Sequence, residues 1–265
     1  MKIKVASYIL KAKKSLGQHF LHDKNIADRI ARSANVKSCN VLEIGPGPGS
    51  LTKSILEHGA KKLISIEKDR RCLKELANLA TKYNDRLVLI EADALEFNLP
   101  KLKDAKLKIV SNLPYNISVP LLIKYLQQID YISQMTLMFQ KEVADRLVAQ
   151  PKTQNYGRLS IMAQSLCDVN IEFHVNKKAF FPPPKVLSTI VIFRPKTKRY
   201  NANWKSLEQV TRAAFGQRRK MLRSSLKNFM FDFDVLNIDP KSRAQDLSIE
   251  QFWSLAIDLE QRIKP

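Results

Sequence analysis

Four short apolar runs, at 41–44, 63–66, 87–90 and 107–110, set the frame of the N-terminal half of the chain. Each is continuous in apolar character rather than alternating, the pattern of strands buried on both faces. Helical spacing fills the segments between and before them. It begins with Ile26, Ala27, Ile30 and Ala34 behind Asp23, a residue suited to cap a helix. Strand, helix and strand in repeated succession predict a doubly wound, mostly parallel α/β sheet. Residues 135–139 predict a fifth strand, followed by a helix over 141–149 and a polar loop over 151–157. The alternating segment 169–175 and the run 188–193 read as edge strands, an antiparallel pair that closes a seven-stranded sheet. Beyond Arg194-Pro195 the pattern changes: a linker over 196–200 leads to helical patterns at 204–215, 218–229 and 249–261. The expected architecture is a Rossmann-like domain over 1–198, with a mobile basic arm at 1–14, and a small all-helical domain over 199–265.

Composition narrows the class. With 265 residues, 45% hydrophobic and 26% charged, the chain can bury a substantial core and is not a disordered polyelectrolyte. Its 45 Lys and Arg against 25 Asp and Glu give a net charge of +20, which points to a polyanion and specifically to nucleic acid. The charge has a focus, since residues 177–220 hold twelve bases and a single acid, Glu208. Arg218, Arg219, Lys220 and Arg223 cluster there, and with Lys185 they are the candidate phosphate contacts, ahead of Arg146 and Arg158. Cys39, Cys72 and Cys167 are too few and too scattered for a disulfide framework or a paired metal site, as suits a reducing cytoplasm. Nothing approaches the roughly 18 apolar residues of a membrane span, and no signal-peptide core stands at the N-terminus. No self-complementary apolar surface is evident, so a monomer is expected.

The candidate chemistry lies where the apolar runs end. The first runs into Gly45, Gly47 and Gly49, and glycines let a backbone turn tightly and approach a ligand. Their G-x-G-x-G spacing is not the G-x-G-x-x-G of dinucleotide folds, which leaves a nicotinamide enzyme as a distant alternative. Glu67 ends the second run about 20 residues after the glycines, where an acid accepts hydrogen bonds from ribose hydroxyls. Asp93 follows the third run and can accept from an adenine amine. The fourth ends in Asn112-Leu-Pro-Tyr-Asn-Ile-Ser118, ahead of a helical pattern opened by Ser118 and Pro120. Three successive ends carrying suitable groups describe an adenosine-binding crevice that runs to Asn112. That crevice beside an amide and an aromatic ring points to S-adenosylmethionine and methylation of an amine. The exocyclic amine of adenine is a poor nucleophile, because its lone pair is delocalised into the ring. Acceptors at the Asn112 side chain and the Leu113 carbonyl would draw that nitrogen toward tetrahedral geometry. Tyr115 would stack on the extruded base, with Phe180 or Phe181 on its other face.

These residues resemble the ribosomal RNA adenine N6-dimethyltransferase family, most closely its small-subunit (16S) branch, over nearly the whole length. The matching stretches are Leu16-Gly-Gln-His-Phe-Leu21, Glu43-Ile-Gly-Pro-Gly47, Glu67, Asp93 and Asn112 to Ser118. They continue through Gln140 to Arg146, Tyr156 to Ser160, Phe180-Phe-Pro-Pro-Pro-Lys-Val186 and Phe215 to Leu222. The resemblance implies four methyl transfers, two to each of two adjacent adenines in the 3′-terminal hairpin of 16S rRNA, on the small subunit or its precursor. It implies that His19, Leu21, Gly45, Glu67, Asp93 and Asn112 contact S-adenosylmethionine, and that Phe180 rather than Phe181 lies opposite Tyr115. His19 departs from the pattern, since many relatives have Asn there. Two rival readings remain on the same residues: a large-subunit methylase of the macrolide-resistance type, and a non-catalytic factor in small-subunit assembly.

Overall fold

A single mixed sheet carries all of the predicted strands, and its order places the site. The computed structural model describes residues 3–5, 8–10, 12–13, 16–99, 106–197 and 203–263. In chain order the elements are β1 (Ile3–Val5), β2 (Tyr8–Leu10), β3 (Phe20–Leu21), α1 (Lys24–Ser33), β4 (Asn40–Ile44), α2 (Ser50–Glu57) and β5 (Lys62–Glu67). Next come α3 (Arg70–Tyr83), β6 (Leu87–Glu91), β7 (Leu107–Ser111), α4 (Tyr115–Leu126), β8 (Ile132–Gln140) and α5 (Lys141–Leu147). The chain continues through α6 (Arg158–Leu166), β9 (Cys167–Val175), β10 (Phe180–Phe181) and β11 (Ser188–Pro195) to α7 (Trp204–Gly216), α8 (Leu222–Ser225) and α9 (Ile249–Ile263).

Seven strands pair in the order β6-β5-β4-β7-β8-β11-β9. The first five are mutually parallel, and β11 runs antiparallel to β8. The order reverses direction between β4 and β7, and a doubly wound sheet opens its ligand crevice at the carboxyl ends of such a pair. Residues 188–193 are fully covered and β11 lies between β8 and β9, so this segment is interior rather than an edge. Of the two segments only β9 lies at an edge, opposite β6 at the far edge, and its alternation suits that place. Helix α1 starts as expected, with the Asp23 carboxylate accepting from the Asn25 and Ile26 N–H groups. Its buried Ala27, Ile30 and Ala31 share one core with Leu51, Ile55 and Leu56 of α2 and with Val41, Leu63, Val110 and Ile190 of the sheet.

Several elements differ from the sequence reading. Residues 3–5 and 8–10 form an antiparallel ribbon where a mobile arm is expected, and 1–2, 6–7, 11 and 14 lie outside the described residues. Helix α6 occupies a stretch with no element predicted. Helix α4 starts already at Tyr115, because Pro114 caps it and its carbonyl accepts from Ile117 N. The helix expected over 218–229 is broken into the four residues of α8 and a 3-10 turn at Lys227–Phe229. Met221 pairs instead with Arg243 as an isolated bridge, and Leu222 N donates to the Ser242 carbonyl, so external partners replace helical ones.

The chain divides into two compact units, Met1–Ala144 with Asn170–Pro195 and Asp145–Val169 with Lys196–Pro265. The second therefore includes 145–169 as well as the C-terminal helices. Residues 198–202, where the sequence reading sets the domain boundary, lie outside the described residues. Within the second unit Phe215 stacks on Phe252 at 5.7 Å and meets Tyr156 edge-on at 6.4 Å.

One buried group makes the fold sensitive to pH. Glu43 of β4 is 1% exposed, and its Oε2 accepts from Ser65 Oγ of β5 at 2.9 Å. Burial pushes its carboxyl up to about 7, against the hydroxyls of Thr52 and Ser65, which lower it. A raised acid is neutral in the folded chain while already ionised in the unfolded one, so stability falls as pH rises from 4.5 to 7. Glu43→Gln removes that ionisation. It should stabilise the chain by on the order of 2–3 kcal/mol at about pH 8, with the gain vanishing below about pH 5. Urea melts across pH test this, and a gain independent of pH would overturn it.

Candidate active site

The crevice opens at the reversal between β4 and β7, and a cavity of about 230 Å³ is lined by residues from the ends of β4 to β7 and by 16–21. Gly45 and Gly47 stand at φ of 64° and 57° in the turn after β4. A Cβ at Gly47 would lie 2.9 Å from the Phe20 ring, so only glycine lets this turn and the N-terminal segment close on each other.

Glu67 at the end of β5 is held by the backbone. Its Oε2 accepts from Gly47 N at 3.1 Å, and its Oε1 accepts from Lys68 N at 2.9 Å and Asp69 N at 2.8 Å. Burial raises its pKa, opposed by those three N–H groups. A carboxylate offers about four acceptor sites. With three N–H groups bound, Oε2 keeps one for a ligand hydroxyl. Asp93 lies beyond β6. It accepts from Leu95 N at 2.9 Å and from Lys68 Nζ at 2.7 Å, and the Lys68 ammonium holds its pKa down. Lys68 lines the cavity and has no place in the sequence reading; a lysine beside the glutamate gives no signal by itself. Each Asp93 oxygen still has room for one more donor, such as a ring amine.

Asn112 follows β7. Its Nδ2 donates to the His19 carbonyl at 3.2 Å. Because that partner can only accept, the amide has one orientation, and Oδ1 is left as the free acceptor of a cavity-lining side chain. The His19 ring is fixed in turn, with Nδ1 donating to the Pro182 carbonyl at 2.7 Å, and it lies tilted against Tyr115 at 5.8 Å. The Tyr115 phenol is hydrogen-bonded to Ser188 Oγ at 2.5 Å, so both ends of the ring are placed. Ser188 also escaped the sequence reading, because its partner is 73 residues away. Leu21, Gly45, Leu113 and His19 all line the cavity with Glu67, Asp93, Asn112 and Tyr115.

Phe180 is different. It is 2% exposed and belongs to the sheet-and-helix core with Leu21, Val175 and Ala179, through pairing of β10 with β3. The ring is thus covered in this structure, and its place opposite Tyr115 stands as a proposal. Phe181 is only half-buried, yet it does not line the cavity either.

The basic candidates Lys185, Arg218, Arg219, Lys220 and Arg223 are all exposed. Arg218 is partly engaged, its Nη2 donating to the Gln154 and Tyr156 carbonyls. In the same unit Glu208 is shared by Arg158 at 2.6 Å and Arg212 at 3.1 Å. The lone acid of the basic stretch thus neutralises bases of its own unit.

The donor set fits S-adenosylmethionine on its own chemistry. An acid with one open acceptor site suits a ribose hydroxyl, a second acid suits the adenine amine, and the carboxyl-rich wall tolerates a sulfonium cation.

Comparison with known proteins agrees with this geometry. The family model for ribosomal RNA adenine dimethylase matches residues 9–261. A ribosomal RNA small subunit methyltransferase A of Rhodospirillum rubrum is 47% identical over 258 residues, covering 95% of this chain and 89% of the relative. One from Mesorhizobium japonicum is 45% identical, covering 93% and 92%. A crystal structure of a dimethyladenosine transferase from Plasmodium falciparum superimposes with a TM-score of 0.81 at 30% identity, covering 92% of this chain and 98% of that one. The 23S rRNA methyltransferase ErmE shares the fold, with a TM-score of 0.69 at 24% identity. A glycine turn, two placed acids and an oriented amide at one sheet reversal, matched by a family model from residue 9 to residue 261, identify the chain as a member of the ribosomal RNA adenine dimethylase family.

Proposed function

We propose that this chain uses S-adenosylmethionine to convert two adjacent adenines in the 3′-terminal hairpin of 16S rRNA to N6,N6-dimethyladenine, on the small ribosomal subunit or its precursor. The observation that carries the reading is the Asn112 amide, a cavity-lining side chain whose Nδ2 is taken by the His19 carbonyl so that Oδ1 is left as an acceptor. The small-subunit target is supported by the names of relatives 43–47% identical to this chain. A large-subunit target has only a fold likeness behind it.

When bound, the donor supplies a methyl group on a sulfonium sulfur. Glu67 and Asp93 hold its ribose and adenine ends, and the glycine turn lets its chain lie against the backbone. On the other side, Asn112 Oδ1 and the Leu113 carbonyl accept the two N–H groups of the substrate amine. That draws the nitrogen out of conjugation and aims its lone pair. Tyr115 supplies a flat apolar face for the ring, held from rotating by Ser188. No side chain is needed as a strong base, because the nitrogen becomes acidic once methyl transfer begins. The exposed bases at 185, 218–220 and 223 bind RNA phosphates in this reading. The chain acts as a cytoplasmic monomer, as befits a ribosomal substrate. A role in subunit assembly is compatible with catalysis.

Transfer of labelled methyl groups to undermethylated small subunits is the direct test. Incorporation at paired adenines near the 16S 3′ end is expected, and incorporation into large-subunit RNA instead would overturn the target. Asn112→Ala should bind S-adenosylmethionine within about threefold of wild type yet lose roughly 10²–10³-fold in kcat, the scale of a lost charge-stabilising contact. Calorimetry and single-turnover methylation separate the two, and full turnover by this variant would remove Asn112 from the mechanism. Ser188→Ala should cost about tenfold in kcat/KM for RNA, the size of one hydrogen bond. Tyr115→Phe should do the same, and the double variant no worse. Additive losses in that cycle would show that Ser188 does not act through Tyr115.

A further inference from the structure

Residues 228–240, Asn-Phe-Met-Phe-Asp-Phe-Asp-Val-Leu-Asn-Ile-Asp-Pro, hold three aspartates and no base, the reverse of the balance at 177–220. Met230 and Val235 are 81% and 79% exposed, while the next large apolar side chain among the described residues, Leu187, is 44% exposed. The backbone that presents them is fixed. Met230 stands at φ 49°, a left-handed conformation that is unfavourable for a non-glycine residue. Its carbonyl accepts from Arg262 Nη1 at 2.6 Å. The Asp232 carboxylate accepts from Val235 N at 3.2 Å, and the carbonyls of Asp232, Phe233 and Asp234 take the N–H groups of Leu236, Ile238 and Asn237. Beneath them Phe229 stacks on Phe231 at 5.5 Å, and Phe233 meets Phe231 edge-on at 6.3 Å.

Met230, Phe231, Asp232, Phe233, Asp234 and Pro240 line a shallow groove there. Arg262, which lies over the Phe231 ring at 5.9 Å, is paired with Asp258 at 2.9 Å, and Lys227 and Lys241 flank the segment. An ordered loop that holds two apolar side chains in water, against backbone strain, is a contact surface in waiting. Its charge says what it contacts. Phosphate would meet exposed Asp232 and Asp234, whereas a lysine or arginine would find both carboxylates and aromatic walls.

We propose that the 229–235 loop is a docking face for a basic protein segment carrying an apolar side chain. Resting on the function proposed above, that segment belongs to a protein of the small ribosomal particle. The face would thus read the protein part of a substrate whose RNA is read by the basic residues.

The test compares the affinity of full-length chain for undermethylated small subunits and for protein-free 16S rRNA. Met230→Asn with Val235→Ser removes the apolar tips, and asparagine tolerates the left-handed backbone, so thermal stability should hold or rise. Asp234→Lys reverses one charge without touching a cap. Both variants should bind subunits at least tenfold more weakly and bind protein-free RNA as wild type does. Unchanged subunit affinity in both variants, with normal methylation by wild type, overturns the face alone. Equal losses on subunits and on protein-free RNA show an RNA contact and overturn it too. A wild-type chain that neither binds nor methylates subunits overturns the functional reading, and the docking face with it.

Discussion

The hydrogen bond from Asn112 Nδ2 to the His19 carbonyl is the constraint on which the site depends, because it converts a freely turning amide into an aimed acceptor. It works only if residues 16–22 are themselves held, and they are held from several sides. Gln18 donates to Asp69 Oδ2 at 2.9 Å and accepts from Lys13 N. His22 N donates to the Ala179 carbonyl, β3 pairs with β10, and the His19 ring ties to Pro182. Asp69 anchors the strap as a carboxylate, its pKa held well below the usual range by Arg71 and, less strongly, by Gln18. The same strap puts the Phe20 ring against Gly47. The glycine turn and the Asn112 amide are therefore closed by one segment.

Much of this was legible in the residues because strands buried on both faces have no polar alternation to hide them. The runs ending at Ile44, Ile66, Ile90 and Val110 locate the four strands whose order reverses at the crevice, and the polar residues after them locate its walls. What escaped depends on partners distant in sequence. Ser188 reads as one residue of a buried strand until the phenol of Tyr115 reaches it. Lys68 reads as an unpaired surface lysine until β6 brings Asp93 alongside. Phe180 reads as a stacking ring by pattern, and nothing in that pattern shows that pairing with Leu21 also seats it in the core. The break at 218–229 has the same origin, since helical periodicity carries no trace of the bridge from Met221 to Arg243.

Three carboxyl groups at one end of a sheet should repel one another and resist burial, and each is accommodated by a different means. Glu43, the most deeply buried, gives up much of its charge near neutrality and takes a serine hydroxyl. Glu67 sits among three backbone N–H groups that its own turn and the glycine loop supply, so its orientation comes from the main chain rather than from a side-chain partner. Asp93, the most open, takes a lysine. The order runs from apolar core to solvent, as the falling cost of ionisation requires. In each case the groups are positioned before any ligand arrives, which spares the binding step the entropy of ordering them. Asn112 follows the same rule at the fourth strand end, with a carbonyl as its partner. The crevice is a row of polar groups, each already bonded on one side and open on the other, and the proposed transfer needs that arrangement, with a neutral amide holding a reluctant nucleophile.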